Sequence, residues 1–292
     1  MARVDRNPDR SAGEGRVRGA VKLVLFAKIT ALAAVVHLAV PILHLSGLHH
    51  QATRVSAWVF RHWARWSARV LGACIEVEGS PPSPPFVLAS NHLGYLDIMV
   101  LASQIDCVFV SRADVAAWPV VGYLVRMVGT IFIDRDAKRD IPRVLDLVDE
   151  NLAHGRGIVI FPEGTTSDGS TVLPFRPPLL EAAARSGIPV RCVSLSYRTP
   201  PGCAPANLAI CWWGEMTFWA HVLRLFRLPG FVAKVSFAPD SIHEMDRKRL
   251  ATAAREIVLR HFDPIQGSSS YNGPTSAPCT VGEEKVQRSR ES

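Results

Sequence analysis

Apolar residues run almost unbroken near the front of the chain and then settle into short bursts. Residues 20–45, AVKLVLFAKITALAAVVHLAVPILHL, carry only Lys22 and Lys28 as charges, with Pro41 near the end. A bilayer span needs about 20 mostly apolar residues, so this stretch predicts a membrane anchor, spanning or re-entrant. Its length and late start weigh against a signal peptide, and its exposure to lipid is favoured over a buried core helix. Residues 51–72, QATRVSAWVFRHWARWSARVLG, repeat at helical spacing and contain no acidic residue. On a helix, Arg54, Arg61, Arg65 and Arg69 fall within about 80° of one another, beside a stripe of Val55, Val59, Trp63, Trp66 and Val70. That arrangement suits a lipid interface, where arginine meets phosphate and indole sits at headgroup depth.

Past a proline-rich stretch at 78–86, short apolar runs alternate with helical spacing. Strands are predicted at 86–91, 107–111, 130–135, 189–197, 208–213 and 231–238, and a strand followed by a loop at 157–164. Helices are predicted at 95–104, 116–129, 142–155, 178–187 and 244–262. The alternation predicts an α/β fold: a mixed, mostly parallel sheet flanked by helices, preceded by N-terminal membrane-associated helices. The organisation read from it is a disordered basic tail at 1–19, membrane-associated helices at 20–77, a catalytic domain at 78–264 and a disordered tail at 265–292.

Charge strengthens the membrane reading. The 292-residue chain has a formal net charge of +7 and is 48% hydrophobic. A basic balance points to nucleic acid or an anionic membrane, and the apolar stretch at 20–45 argues against nucleic acid. The arginines before that stretch predict a cytoplasmic N-terminus. None of the six cysteines forms a C-x-x-C and no metal-ligand spacing occurs, so free thiols and no metal are expected.

Candidate chemistry begins at SNHLGYLDIMVLA, residues 90–102. Residues five apart on one helix point about 140° apart and do not meet. If His92 lies in a loop and Asp97 in the next helical turn, they can, with Gly94 permitting the bend. A carboxylate on one imidazole nitrogen fixes the tautomer and leaves the other as a general base. No G-x-S-x-G occurs, so base-assisted attack by a substrate hydroxyl fits better than a protein nucleophile. FPEGTTSDG at 161–169 offers Glu163, Gly164, Thr165 and Thr166 in a loop after a strand. GTIFIDR at 129–135 delivers Arg135, and VLPFRPPLLEAA at 172–183 delivers Arg176.

In order and spacing, NHLGYLD, GTIFIDR, FPEGTTS and SGIPVRCVSLSY make the chain resemble the glycerolipid acyltransferases typified by 1-acylglycerol-3-phosphate acyltransferase. The resemblance covers roughly residues 75–240. It implies that His92 is the base and Asp97 its orienting partner. It implies that Asn91, Arg135, Glu163, Gly164, Thr165, Thr166 and Arg176 bind substrate. Acyl-CoA or acyl-carrier protein would be the donor, with no cofactor, and the membrane would supply the lysolipid acceptor. The expected location is the inner or plasma membrane, with the catalytic domain on the cytoplasmic face. The default acceptor is 1-acyl-sn-glycerol-3-phosphate, giving phosphatidic acid. Thr166 departs from the arginine most members carry, and Pro178 from a glycine. These departures, with CWWGEMTFWAH, look more like the branch that includes lyso-ornithine-lipid acyltransferases. A non-catalytic membrane-binding protein is the more distant alternative.

Overall fold

In a computed structural model, residues 8–112, 122, 129–133 and 140–265 are described below. Three helices come first: α1 (Pro8–His37), α2 (Ala39–Leu45) and α3 (His49–Leu71). α1 and α2 together make one apolar stretch, Gly13–Leu45, long and apolar enough to cross a membrane and almost wholly uncovered by the rest of the protein. α3 ends at Gly72, whose φ of 79° is the left-handed conformation that favours glycine.

The catalytic half is a seven-stranded sheet among the described residues. Its strands are β1 (Ala73–Glu78), β2 (Phe86–Ser90), β3 (Cys107–Arg112), β4 (Ile131–Ile133), β5 (Gly157–Ile160), β6 (Val190–Arg198) and β7 (Phe231–Ile242), in the spatial order β1-β7-β6-β2-β5-β3-β4. Every neighbouring pair is parallel except β6 with β7. The helices are α4 (Leu96–Gln104), α5 (Asp140–Ala153), α6 (Glu181–Arg185), α7 (Ala206–Ala209), α8 (Phe218–Arg227) and α9 (Arg247–Arg260). A 3₁₀ turn, Pro177–Leu180, precedes α6.

β2 is buried at every position, as a parallel strand covered on both faces should be. Phe86 and Leu88 face a core shared with α3, α4 and α8, while Val87 and Ala89 face one shared with α5, α6 and α9. Both cores therefore grip the strand that leads into the candidate site.

Several expectations shift. The sheet begins at β1, before the proline-rich stretch, which connects two strands of the same sheet. Residues 208–213, expected as a strand, are the end of α7 and a loop, and α8 had no counterpart in the predicted elements. The helix expected at 116–129 lies almost wholly outside the described residues. Arg61 and Arg65 of α3 turn from the expected lipid face to the C-terminal end of α4, donating to Gln104 O at 3.2 Å and Ser103 O at 2.9 Å. They neutralise a helix end that carries partial negative charge. Trp63 is buried and donates to Thr30 Oγ1 at 3.1 Å, while Trp58 and Trp66 remain exposed. Cys107, Cys192, Cys203 and Cys211 are free thiols, but Cys74 is disulfide-bonded, contrary to the free-thiol expectation.

Lys22 explains how the apolar helix is fixed to the rest. Its ammonium donates to Leu71 O at 2.6 Å, Leu228 O at 2.8 Å and Pro229 O at 3.4 Å. The final carbonyls of α3 and the residues just after α8 thus share one cation from α1. Lys22→Ala should lower the unfolding free energy by about 1.5–3 kcal/mol, the usual worth of hydrogen bonds to a charged group. The denaturant midpoint of the full chain in detergent measures this. An unmoved midpoint would show that the clamp contributes nothing.

Candidate active site

β2 carries the chain to Ser90, and an irregular loop, 91–95, leads into α4. His92 sits in that loop and Asp97 in the first turn of α4, where their side chains meet. His92 Nδ1 lies 2.7 Å from Asp97 Oδ2. The same oxygen accepts from Leu93 N at 2.6 Å and Gly94 N at 3.0 Å, and Oδ1 accepts from the Tyr197 hydroxyl at 2.7 Å. Both oxygens are acceptors, so the proton of the pair belongs on His92 Nδ1. Nε2 is then the basic nitrogen, in a side chain 20% exposed, while Asp97 is 0% exposed. The imidazole also stacks on Phe161, with centroids 4.1 Å apart and planes 16° apart. Packing and charge together hold the ring in one orientation.

Three other segments pin this loop. The Asn91 amide bonds Leu195 in both directions, Nδ2 to Leu195 O at 2.9 Å and Leu195 N to Oδ1 at 2.7 Å. Ser167 N donates to His92 O at 3.0 Å, and Trp212 N donates to Leu93 O at 2.9 Å. Gly94 serves this last approach. Its φ is not in the left-handed region, but a Cβ there would stand 3.0 Å from Trp212 N. The bend expected of Gly94 is thus a close approach of two backbones.

The predicted substrate-binding residues divide. Asn91 is buried, and its amide donates to and accepts from the Leu195 backbone, which positions the loop. Glu163 is also buried, behind the histidine, and accepts from His92 N at 3.4 Å. Its Oε1 thus supports the His92 backbone, while Oε2 is buried with no hydrogen-bond partner among the described residues. Burial pushes its carboxyl up to about 8; the His92 N–H opposes this and Asp97 adds to it. Gly164, at φ 71°, turns the chain outward. Thr165 is exposed and Thr166 half-buried in the loop that runs from Glu163 to Ser167. Arg176 is exposed, and its N–H donates to Pro162 O at 2.8 Å, keeping it beside this loop. Arg135 lies outside the described residues.

Two participants were not found from sequence. Tyr197 ends the apolar run VRCVSLSY, and its chain position gives no sign that it meets Asp97 100 residues away. The other is the pair formed by Tyr95 and His221 of α8, whose hydroxyl and Nδ1 are 2.9 Å apart. Burial pushes His221 down to about 4, so this imidazole is neutral near pH 7.

A family described as Acyltransferase matches residues 74–196, which contain the whole His92–Asp97 loop and FPEGTTS. The lyso-ornithine lipid O-acyltransferase of Rhizobium meliloti (strain 1021) is 31% identical over 254 residues, spanning 80% of this chain and 86% of the relative. That of Rhodobacter capsulatus is 32% identical over 267 residues, spanning 87% and 93%. The chain belongs to the acyltransferase family. This acyltransferase is also 34% identical, over 63% of its length and 72% of the relative's, to the 1-acyl-sn-glycerol-3-phosphate acyltransferase of Neisseria meningitidis serogroup B. The crystal structure of the 1-acyl-sn-glycerophosphate acyltransferase from Thermotoga maritima shares its fold, with a TM-score of 0.58, 22% identity, and coverage of 84% of this chain and 95% of that one.

Two outcomes follow for the acyltransferase site. Tyr197→Phe removes one donor to a buried charge and should lower kcat by roughly 10- to 100-fold, if a bond worth about 1.5–3 kcal/mol is expressed in the transition state. Steady-state kinetics and near-UV circular dichroism check it; native kcat with a native spectrum would remove Tyr197 from a positioning role. The second concerns Glu163, whose folded value of about 8 exceeds the ordinary 4.5. Its neutral form is compatible with burial, so its contribution to stability is whole below 4.5, declines as pH rises and is lost above about 8. Glu163→Gln should flatten that decline. Thermal unfolding across the interval reads it, and parallel curves for the two proteins would refute the assignment.

Proposed function

We propose that this acyltransferase esterifies the free hydroxyl of a lysolipid with a fatty acyl group from acyl-CoA or acyl-carrier protein. The observation that carries the reading is His92, with Nδ1 bound by buried Asp97 and Nε2 left for a substrate. Nε2 takes the proton of the acceptor hydroxyl as its oxygen attacks the thioester carbonyl. The new C–O bond forms, the C–S bond breaks, and the imidazolium returns its proton to the departing thiolate. Asp97 stabilises the imidazolium and keeps the tautomer. Such base action is worth roughly 10²- to 10⁴-fold. Thr165, Thr166 and Arg176 border the acceptor headgroup, and Asn91, Glu163 and Gly164 shape the loops beneath. Arg135 is assigned to the same headgroup by its motif, GTIFIDR. The chemistry requires no metal or redox cofactor.

The site works at a membrane, the inner or plasma membrane, with the catalytic sheet on the cytoplasmic side. The uncovered helix Gly13–Leu45 supports that placement. Lyso-ornithine lipid is the acceptor we place first. Relatives bearing that name span 80% and 87% of this chain, against 63% for the 1-acyl-sn-glycerol-3-phosphate acyltransferase of Neisseria meningitidis. Thr166 agrees, since it supplies no cation for a phosphate. The default acceptor from sequence, 1-acyl-sn-glycerol-3-phosphate, is the second reading, supported by the 34% identity of that Neisseria relative.

Membranes carrying the protein, given one labelled acyl donor and equal amounts of the two acceptors, should label the ornithine lipid in excess. Label entering phosphatidic acid instead would reverse the order. His92→Ala should cut either product by at least about 10²-fold, and residual activity within tenfold would refute the base.

A further inference from the structure

α8 is amphipathic, and one of its sides is left bare. Phe218, His221, Val222, Leu225 and Phe226 turn inward. Trp219 and Leu223 turn outward at 58% and 47% exposure, with Arg224 and Arg227 also exposed. The helix contains no acidic residue.

Its neighbour explains the bareness. α1 runs against the C-terminal end of α8: Phe26 meets Phe226 edge to face at 5.5 Å, and Arg18 Nη1 donates to Arg227 O at 3.3 Å. Trp219 and Leu223 lie about 20° and 60° around the helix from Phe226, the residue that meets α1, and about two turns and one turn nearer the start of α8. α1 itself exposes Val17, Val21, Val24 and Leu25 along the same stretch. Both helices thus leave apolar side chains uncovered near the place where they meet, with Arg18 and Arg227 at that junction.

We propose that α8 is a membrane-docking helix, lying in the headgroup plane of an anionic bilayer beside α1 and inserting Trp219 and Leu223 while Arg227 meets lipid phosphate; Arg224, whose Nη1 donates to Leu208 O at 3.0 Å, ties the helix to the protein. The proposal deepens the lysolipid reading and rests on it for its purpose. An apolar side with indole, fringed by arginine, is the composition of an interfacial helix. Docking also has a route to the chemistry. Inward-facing His221 holds Tyr95, which stands between His92 and Asp97 in sequence and lies directly before α4. Seating α8 on lipid therefore sets the level of the His92 loop above the surface from which the acceptor arrives.

The test uses the full chain in vesicles of phosphatidylcholine and phosphatidylglycerol, with a phosphatidylcholine brominated high on its acyl chains as quencher. Tryptophan emission of the native protein is compared with Trp219→Phe. A fall in quenched emission on losing Trp219 is expected. Equal quenching in the two proteins would overturn the proposal. So would a Trp219 shielded by a second copy, seen as a detergent-stable dimer that Trp219→Asp dissolves. A Trp219→Asp, Leu223→Asp protein, still held by α1, is then assayed. Transfer to bilayer-borne acceptor should fall by roughly 10- to 100-fold, the scale of a misplaced site, with transfer to detergent-dispersed acceptor unchanged. An equal loss in both formats would overturn the coupling. If no lysolipid is acylated but quenching still reports Trp219 in lipid, docking stands and the acceptor reading falls.

Discussion

One carboxylate organises the catalytic end of this protein. Asp97 has no exposed surface and accepts four hydrogen bonds, from His92, from the Leu93 and Gly94 amides and from Tyr197. A buried charge is tolerated only when its lone pairs are filled by donors, so the 91–95 loop has little freedom to adopt another path. The same four bonds fold the loop, select the histidine tautomer and tie α4 to β6. Catalytic geometry and local stability are here one requirement.

The surrounding segments extend that requirement outward. Asn91 holds the loop to β6, Ser167 holds it to the FPEGTTS turn, and Trp212 holds it to the segment before α8. Each bond reaches backbone, so the loop's path is fixed largely independently of neighbouring side chains. Glu163, buried and bonded to the His92 backbone N–H, belongs to the same scaffold. Of the predicted substrate-binding residues that are described, Gly164, Thr165, Thr166 and Arg176 keep some exposed surface.

Much of this could be read from the chain, and the failures have specific causes. The parallel strands were visible because both faces are covered, which makes β2 and β5 continuous apolar runs. β1 was hidden because its last three residues are exposed and two of its positions are glutamate. Residues 208–213 read as a strand because a short apolar run does not distinguish a strand from a buried turn of helix. There the need to donate to Leu93 O from Trp212 decided the conformation. His92 and Asp97 were legible through a five-residue spacing that only a loop-to-helix junction satisfies. Tyr197 was not, since its role depends on β6 lying next to β2. Glu163 was found through its motif, but its bond to the His92 backbone was not, because a motif does not report which atom of a distant loop a carboxylate reaches.

The Lys22 clamp bears on how this enzyme could be handled. One ammonium on the apolar helix α1 closes the carbonyl ends of α3 and α8, so that helix and the catalytic body are tied together at that point. Trimming the apolar helix to obtain a water-soluble version would remove the cation along with the grease. Two helix ends would be left with bare carbonyls beneath the site. A soluble form would therefore need a replacement cap, such as a lysine or arginine introduced from α3 or α8 themselves, before solubility and activity could coexist.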